Sequence, residues 1–185
     1  MKMTCRACYK PVILDGAGQP VRRRREAITK TAFLIHSSRA EDRHVLVWVR
    51  HILNLYGVST VIVEEDARPL DFLEKSRHAV DENELVVALL TKRYRYEDEA
   101  SREMKWKGSD KCYDEIAMSF MRSREMFAFV EEGVDPGRIL ERVWWYAVFR
   151  RRGRNLTIEN GQDLFQRLEL YTGSIKWPAV VYKLI

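Results

Sequence analysis

Cysteine and long apolar runs are what this sequence has least of. It contains three cysteines among 185 residues, a small and odd number that excludes a disulfide framework and favours a reduced protein. The longest uninterrupted apolar runs, residues 85–90 and 143–149, fall far short of the roughly 20 residues that cross a bilayer. Residues 1–6 lack the apolar core of a secretion signal. We therefore expect a cytoplasmic protein that neither spans a membrane nor is secreted.

Positive charge is in mild excess, and much of the excess is clustered. Lys and Arg total 32 against 27 Asp and Glu, which gives a formal net charge of +5. Arginines crowd residues 22–25 and 150–154. Such clusters attract phosphate groups, but no base-reading motif accompanies them. The first interpretation is therefore a solvated basic surface, and binding of nucleic acid is the less favoured alternative.

The first 29 residues differ from the rest, because no helical or alternating period runs through them. We interpret residues 1–29 as a basic extension and residues 30–185 as one domain. Cys5 and Cys8 have the spacing of half a zinc site. A tetrahedral site needs four ligands, and neither Cys112 nor the histidines supply a second pair, so plain thiols are favoured and no metal is predicted.

Short apolar runs alternate with amphipathic segments along the domain. Short apolar runs predict strands at 32–35, 58–63, 85–90 and 126–130, of which 58–63 is rich in β-branched residues. Residues 139–149 also suit a helix, and we favour a short helical turn followed by a fifth strand at 143–149. Helices are expected after Ser38, which with Glu41 fits a capping box, and at 70–80, from Ser109 or Asp110, and at 161–171. This alternation predicts an α/β domain: a flavodoxin-like, doubly wound, parallel five-stranded sheet with helices on both faces.

Ligands of such sheets bind at the carboxyl ends of the strands. The loops at that edge are expected to be residues 36–42, 64–70 and 91–112, and they contain neither a Gly-x-Gly-x-x-Gly motif nor a Walker A lysine loop. The first loop instead offers hydroxyls and a cation that suit a phosphate or a ribose. Its candidate contacts are Ser37, Ser38, Arg39 and Asp42, with Ser38 serving equally well as a helix cap alone.

The order of several motifs resembles the TIR (Toll/interleukin-1 receptor) domain family in its bacterial and archaeal form. The resemblance runs over residues 30–172, and residues 65–69 stand where the family has its BB loop. Residues 111–115 resemble the Trp-Cys-x-x-Glu motif that opens the family's third helix. The residues that carry the likeness are Phe33-Leu34-Ile35-His36-Ser37-Ser38 with Asp42, Gly57-Val58, and Cys112-Tyr113-Asp114-Glu115.

This resemblance implies a function. Enzymatic members of the family cleave the bond between nicotinamide and ribose in NAD, and some cyclise the product, whereas other members are docking modules. The glutamate of the third-helix motif is essential in the enzymes, and it corresponds here to Glu115. Lys111 stands where the family has tryptophan, which leaves Trp106 or Tyr113 to supply an aromatic wall. The resemblance further implies NAD as substrate rather than cofactor, homo-oligomers, a sensor or effector partner, and a role in defence or signalling.

The chemistry fits a single carboxylate. Nicotinamide leaves as a neutral molecule, so no acid is required, and the sugar passes through a cationic, oxocarbenium-like state that one carboxylate can stabilise. Asp114 would point about 100° away from Glu115 around the helix. In the alternative interpretation, Glu115 is an acid in the first turn that favours the helix dipole. The catalytic assignment requires Glu115 to open into a cleft bordered by Ser37 and Arg68, which would contact the ligand.

Overall fold

Apolar segments rich in Val, Leu, Ile and Phe form the strands at the centre of the molecule, because buried parallel strands need apolar side chains on both faces. The computed structural model describes residues 30–63, 69–99, 101–142 and 145–173. The predictions for the basic extension, including Cys5 and Cys8, and for Arg68 lie outside the described residues.

Eight strands and five helices follow one another along the described chain. The strands are β1 (Lys30–Ile35), β2 (Val58–Val61), β3 (Leu85–Leu90), β4 (Tyr94–Glu97), β5 (Met104–Lys107), β6 (Glu125–Glu131), β7 (Tyr146–Arg152) and β8 (Asn155–Asn160). The helices are α1 (Arg43–Leu55), α2 (Pro69–Glu82), α3 (Asp110–Met121), α4 (Gly137–Arg142) and α5 (Gln162–Thr172). A short 3-10 turn, Ala40–Asp42, precedes α1.

Six of these strands form one sheet in the order β2-β1-β3-β6-β7-β8. The first five are parallel in the flavodoxin-like order, and β8 runs antiparallel to β7 at the edge. One core, with Val49, Phe127 and Phe165, lies on the face covered by α1 and α5. The other core, with Val80, Ile116 and Leu140, lies on the face covered by α2, α3 and α4. The predicted doubly wound fold is therefore confirmed.

Three details differ from the sequence prediction. The sheet gains a sixth strand, β8, and residues 91–109, predicted as a polar stretch, contain the antiparallel β4–β5 hairpin. The predicted cap at Ser38 is wrong: Arg39 occupies the N-cap of the 3-10 turn without a side-chain capping bond. The Glu41 carboxylate pairs with the Arg39 guanidinium at 3.0 Å. None of the helices in the described ranges is long and apolar enough to cross a membrane.

We predict that Gly161→Ala destabilises the protein, because Gly161 packs where the β8–α5 corner meets β7. An added Cβ would lie 2.9 Å from both the Ala147 Cβ and the Ile158 Cγ2. Overpacking of this kind costs about 1–3 kcal/mol. Urea denaturation measures the loss, and Gly153→Asn is the control, since its site is open and asparagine tolerates a φ of +60°. Equal midpoints for the two variants would contradict the packing argument.

Candidate functional site

The carboxyl edge of the sheet is the place to look for a site, because the strand order reverses there between β1 and β3. The loop after β1 begins at His36, and the loop after β3 begins at Thr91. Helix α3 packs against both strands and against α2, so residues on its inner face lie beside this switch point. The structure thereby places the predicted loops 36–42 and 91–112 at one edge of the sheet.

A buried ion network occupies this edge. The Arg151 guanidinium donates from Nη1 to the Asp42 Oδ1 at 2.9 Å, and from Nη2 and Nε to both Glu131 oxygens at 2.9 and 3.1 Å. The Thr91 hydroxyl donates to the Asp42 Oδ2 at 2.7 Å, and the Lys92 backbone N–H donates to Glu131 at 3.0 Å. Asp42 and Glu131 are only 3% and 4% exposed. The network thus ties the start of α1 to the carboxyl ends of β3, β6 and β7.

The surroundings of Arg151 act on its charge in opposite directions. Burial alone would lower the pKa of Arg151, but the bonds to Glu131 and Asp42 outweigh it and raise the pKa above its usual value. Both Asp42 oxygens are bonded inside the protein, so the described arrangement uses this side chain to hold the edge together. Its assignment as a ligand contact stays a prediction.

The loop after β1 brings the other predicted contacts together. Ser37 is half-buried and Ser38 is exposed, while the Arg39 guanidinium pairs with Glu41 and reaches the Lys92 carbonyl at 3.5 Å. Arg39 therefore links the loops that follow β1 and β3. These three side chains stand at the switch point as the sequence predicted, and their contact with a ligand stays a prediction.

His36 has a buried ring nitrogen that the sequence motifs did not single out. Its Nδ1 lies 2.8 Å from the Ser37 carbonyl oxygen, and because a carbonyl only accepts, Nδ1 carries the proton. In the neutral ring, Nε2 is then an acceptor, and this buried atom has no hydrogen-bond partner among the described residues. A buried polar atom without a partner calls for an explanation, and a ligand hydroxyl is one. The sequence signal was a histidine directly after a buried strand, which also suits a core position.

Glu115 lies on the inner face of α3 and is only 3% exposed. The Ser76 hydroxyl, from α2, donates to the Glu115 Oε1 at 2.6 Å. Asp114, its neighbour, is exposed, as the helical geometry predicted. Glu115 does not open into a cleft as predicted; its side chain is buried where α3 faces α2. Its catalytic assignment stays a prediction.

The aromatic residues predicted to flank Glu115 lie on other faces. The Lys111 ammonium, at the position of the family's tryptophan, sits 3.6 Å from the centre of the Phe72 ring of α2. Trp106 is half-buried on the hairpin, with the Arg95 guanidinium 4.8 Å from its ring centre. Tyr113 belongs to a pocket that Glu115 does not line. Tyr113 therefore lines a pocket that does not include Glu115, and the assignment of Trp106 as an aromatic wall stays a prediction.

A pocket of about 380 Å³ lies between the hairpin and the start of α3 and α4. We call it the tyrosine pocket. The Tyr113 hydroxyl donates to the Asp135 carbonyl oxygen at 2.5 Å, and the Tyr96 hydroxyl donates to the Asp135 carboxylate. The Lys107 ammonium pairs with Asp110 at 2.6 Å. The residues that line the pocket are Tyr94, Tyr96, Lys107, Tyr113, Asp135 and Gly137.

Two of the four arginines at residues 150–154, Arg150 and Arg151, are paired with neighbouring acids. Arg150 pairs with Glu132 and lies 3.5 Å from Glu159, and Arg151 is held in the buried network. Guanidinium groups so engaged contribute less to a field that attracts phosphate. The described residues contain no group of three or more His, Cys, Asp or Glu that could hold a metal ion.

Comparison with known proteins adds little beyond these observations. No protein-family model and no curated protein sequence matches the chain. A 2-desoxiribosyltransferase from Leishmania mexicana is similar over 55% of this chain at 11% identity and a TM-score of 0.42, and the chain spans 64% of that protein's length. A CMP N-glycosidase from Clostridium botulinum is similar over 77% of this chain and 100% of its own, at 14% identity and a TM-score of 0.44. Likenesses this weak say nothing about activity.

We predict that Arg151→Met lowers the free energy of unfolding by about 3–5 kcal/mol, because Asp42 and Glu131 would keep their burial and lose their cation. Arg150→Met is the matched control, one residue away on the same strand. The Arg150 pairs are more exposed, so its loss is expected to cost at most about 1 kcal/mol. Chemical denaturation of both variants checks this, and similar losses would refute the special role of Arg151.

We also predict that Asp135→Asn lowers the pKa of Tyr96. The bond to Asp135, followed by burial, raises the pKa of Tyr96 to about 12, so the hydroxyl keeps its proton and its bond until the pH approaches that value. Burial and then Asp110 raise the pKa of Tyr94 to about 12. In the variant, the pKa of Tyr96 is expected to fall toward 10 while that of Tyr94 stays. NMR titration of the labelled tyrosine rings measures both, and an unmoved Tyr96 would contradict the assignment.

Proposed function

We propose that this protein cleaves the N-glycosidic bond of a nucleotide, with NAD as substrate and Glu115 as the carboxylate that stabilises the reacting ribose. The observation that carries the proposal is the carboxylate of Glu115, buried beside the switch point and fixed by the Ser76 hydroxyl at 2.6 Å. NAD is named because of the motif order around residues 33–42 and 112–115.

Burial of a carboxylate is costly, so a protein that keeps one in an apolar core is expected to gain something from it. Catalysis by charge stabilisation gains from such a site, because an oriented anion in a low-dielectric environment acts strongly on a developing cation. The Ser76 hydroxyl supports this role, since its hydrogen bond orients one carboxylate oxygen. Glu115 is thus a pre-oriented anion rather than a mobile surface acid.

The proposed reaction needs few groups. The bond between the ribose C1′ and the nicotinamide nitrogen breaks, and its electron pair leaves with the neutral nicotinamide. Glu115 stabilises the cationic sugar that remains. Water then adds to C1′ and loses a proton to solvent, which gives ADP-ribose. An internal nucleophile in place of water would give a cyclic product.

The loop after β1 would hold the substrate. In the proposal, the His36 Nε2 accepts a hydrogen bond from a ribose hydroxyl, which satisfies the buried acceptor. Ser37 and Ser38 offer hydroxyls, and Arg39 offers a cation to the phosphates. Glu115 is buried in the described arrangement, so in the proposal substrate binding opens a path to the carboxylate that leaves the Ser76 bond in place.

A second candidate function is a docking module that has no catalytic activity. The burial of Glu115 favours it, because the described arrangement keeps the carboxylate away from solvent. The Lys111 ammonium over the Phe72 ring favours it too, since α2 is packed against the position that carries tryptophan in the family. Such a module would act in the cytoplasm by assembling with copies of itself or with a sensor or effector protein.

Nicotinamide release from NAD tests the proposal directly. We predict that Glu115→Gln lowers the rate constant about 10²–10³-fold, as expected when a group that stabilises the transition state loses its charge. Glutamine can still accept the Ser76 bond, so the fold should survive. Asp114→Asn, which removes an exposed carboxylate from the same turn, is the matched control and should change the rate less than about twofold.

The outcome distinguishes the two candidates when the assay is repeated at high protein concentration and with a crowding agent. Turnover that depends on Glu115 and not on Asp114 supports the enzyme. A wild-type protein as inert as Glu115→Gln under all these conditions would overturn it. Concentration-dependent self-association without turnover, measured by sedimentation, would instead support the docking module.

A further inference from the structure

We propose that the tyrosine pocket binds a nucleobase, at a site separate from Glu115. Its lining contains three tyrosine rings, contributed by the hairpin and by α3, and no part of the loop after β1. Its volume of about 380 Å³ falls within the range of small-molecule sites. The inference does not depend on the proposed NAD cleavage, because Glu115 does not line the pocket.

The hydroxyls of the tyrosines are held by the protein. Tyr113 donates to the Asp135 carbonyl oxygen and accepts from the Gly108 N–H at 3.1 Å, and Tyr96 donates to the Asp135 carboxylate. The pocket therefore offers ring surface more than free hydroxyls. Ring surfaces bind flat, apolar partners, and stacking on them is tolerant of which base is bound because every base has a π-face.

The position of the Tyr113 ring is fixed by a close backbone approach. Gly137 has a φ of +75°, and a Cβ added there would lie 3.2 Å from the Tyr113 Cε1. A side chain at residue 137 would thus be strained and would press on the ring. A ring held in this way loses little conformational entropy when a ligand stacks on it, which favours binding.

The position of the Lys107 ammonium favours a neutral ring over a cation as the ligand of the pocket. Tyrosine rings attract cations, but the Lys107 ammonium already lies 5.9 and 5.6 Å from the centres of the Tyr94 and Tyr113 rings. A ligand cation over these rings would have to displace the Lys107 ammonium, which Asp110 holds at 2.6 Å. A neutral heteroaromatic ring does not compete for that position, and its edge atoms can accept a hydrogen bond from the ammonium.

The proposal is tested by NMR on the full chain with carbon-labelled tyrosine. The protein is titrated with AMP and, separately, with ribose 5-phosphate. The two probes share the sugar and phosphate and differ in the base. We expect AMP to shift the Tyr94 and Tyr96 ring signals and to bind at least about tenfold more tightly than ribose 5-phosphate, as stacking predicts. Single Tyr→Phe variants assign the signals, and the Glu115→Gln protein should bind AMP at these tyrosines as the wild type does.

Tyr94 is the position for a matched pair of variants, because its side chain is 38% exposed and its replacement should not disturb the fold. Tyr94→Leu removes the ring and should weaken AMP binding about tenfold, whereas Tyr94→Phe keeps the ring and should stay within about twofold. Equal affinity for AMP and ribose 5-phosphate, no shift at the pocket tyrosines, or tighter binding of choline than of AMP would each overturn the inference. Loss of NAD turnover alone would leave it standing.

Discussion

One guanidinium holds the carboxyl edge of the sheet together. Arg151, on β7, bonds at once to Asp42 before α1 and to both oxygens of Glu131 on β6, and Thr91 extends the contact to β3. A charged group is rarely buried unless it is paired and hydrogen-bonded, and here each carboxylate oxygen has a donor. The elements that carry the candidate site therefore meet at an edge fixed by internal bonds, and the groups left for ligands lie to either side of the network.

Three buried carboxylates lie at or beside this edge, and each is hydrogen-bonded within the protein. Asp42 and Glu131 flank a cation, so their charge is balanced where it stands. Glu115 accepts a hydrogen bond from the Ser76 hydroxyl, which orients one carboxylate oxygen. An anion held in this way interacts strongly with a positive charge that develops beside it, because the surrounding core screens poorly.

A structural feature can be predicted from the sequence when the interactions that form it are local. Residues 85–90 form a strand buried at every position, so an uninterrupted apolar run was enough to predict it. The edge strand β8 has few apolar residues and faces solvent in part, so its pattern was too weak. Asp42 and Arg151 are 109 residues apart in sequence, and no local pattern announces such a pair. The arginines at 150–151 looked like a basic surface because their acidic partners lie elsewhere in the chain.

Helix α3 contributes side chains to two separate regions of the molecule. Tyr113 lies two residues before Glu115, and two residues turn an α-helix by about 200°, so the two side chains leave α3 on nearly opposite faces. The motif resemblance grouped them because they are neighbours in sequence, whereas the helix sends Glu115 toward Ser76 and Tyr113 toward Asp135. Residues 112–115 thus contribute to both candidate binding regions. A substitution can alter one region without altering the other.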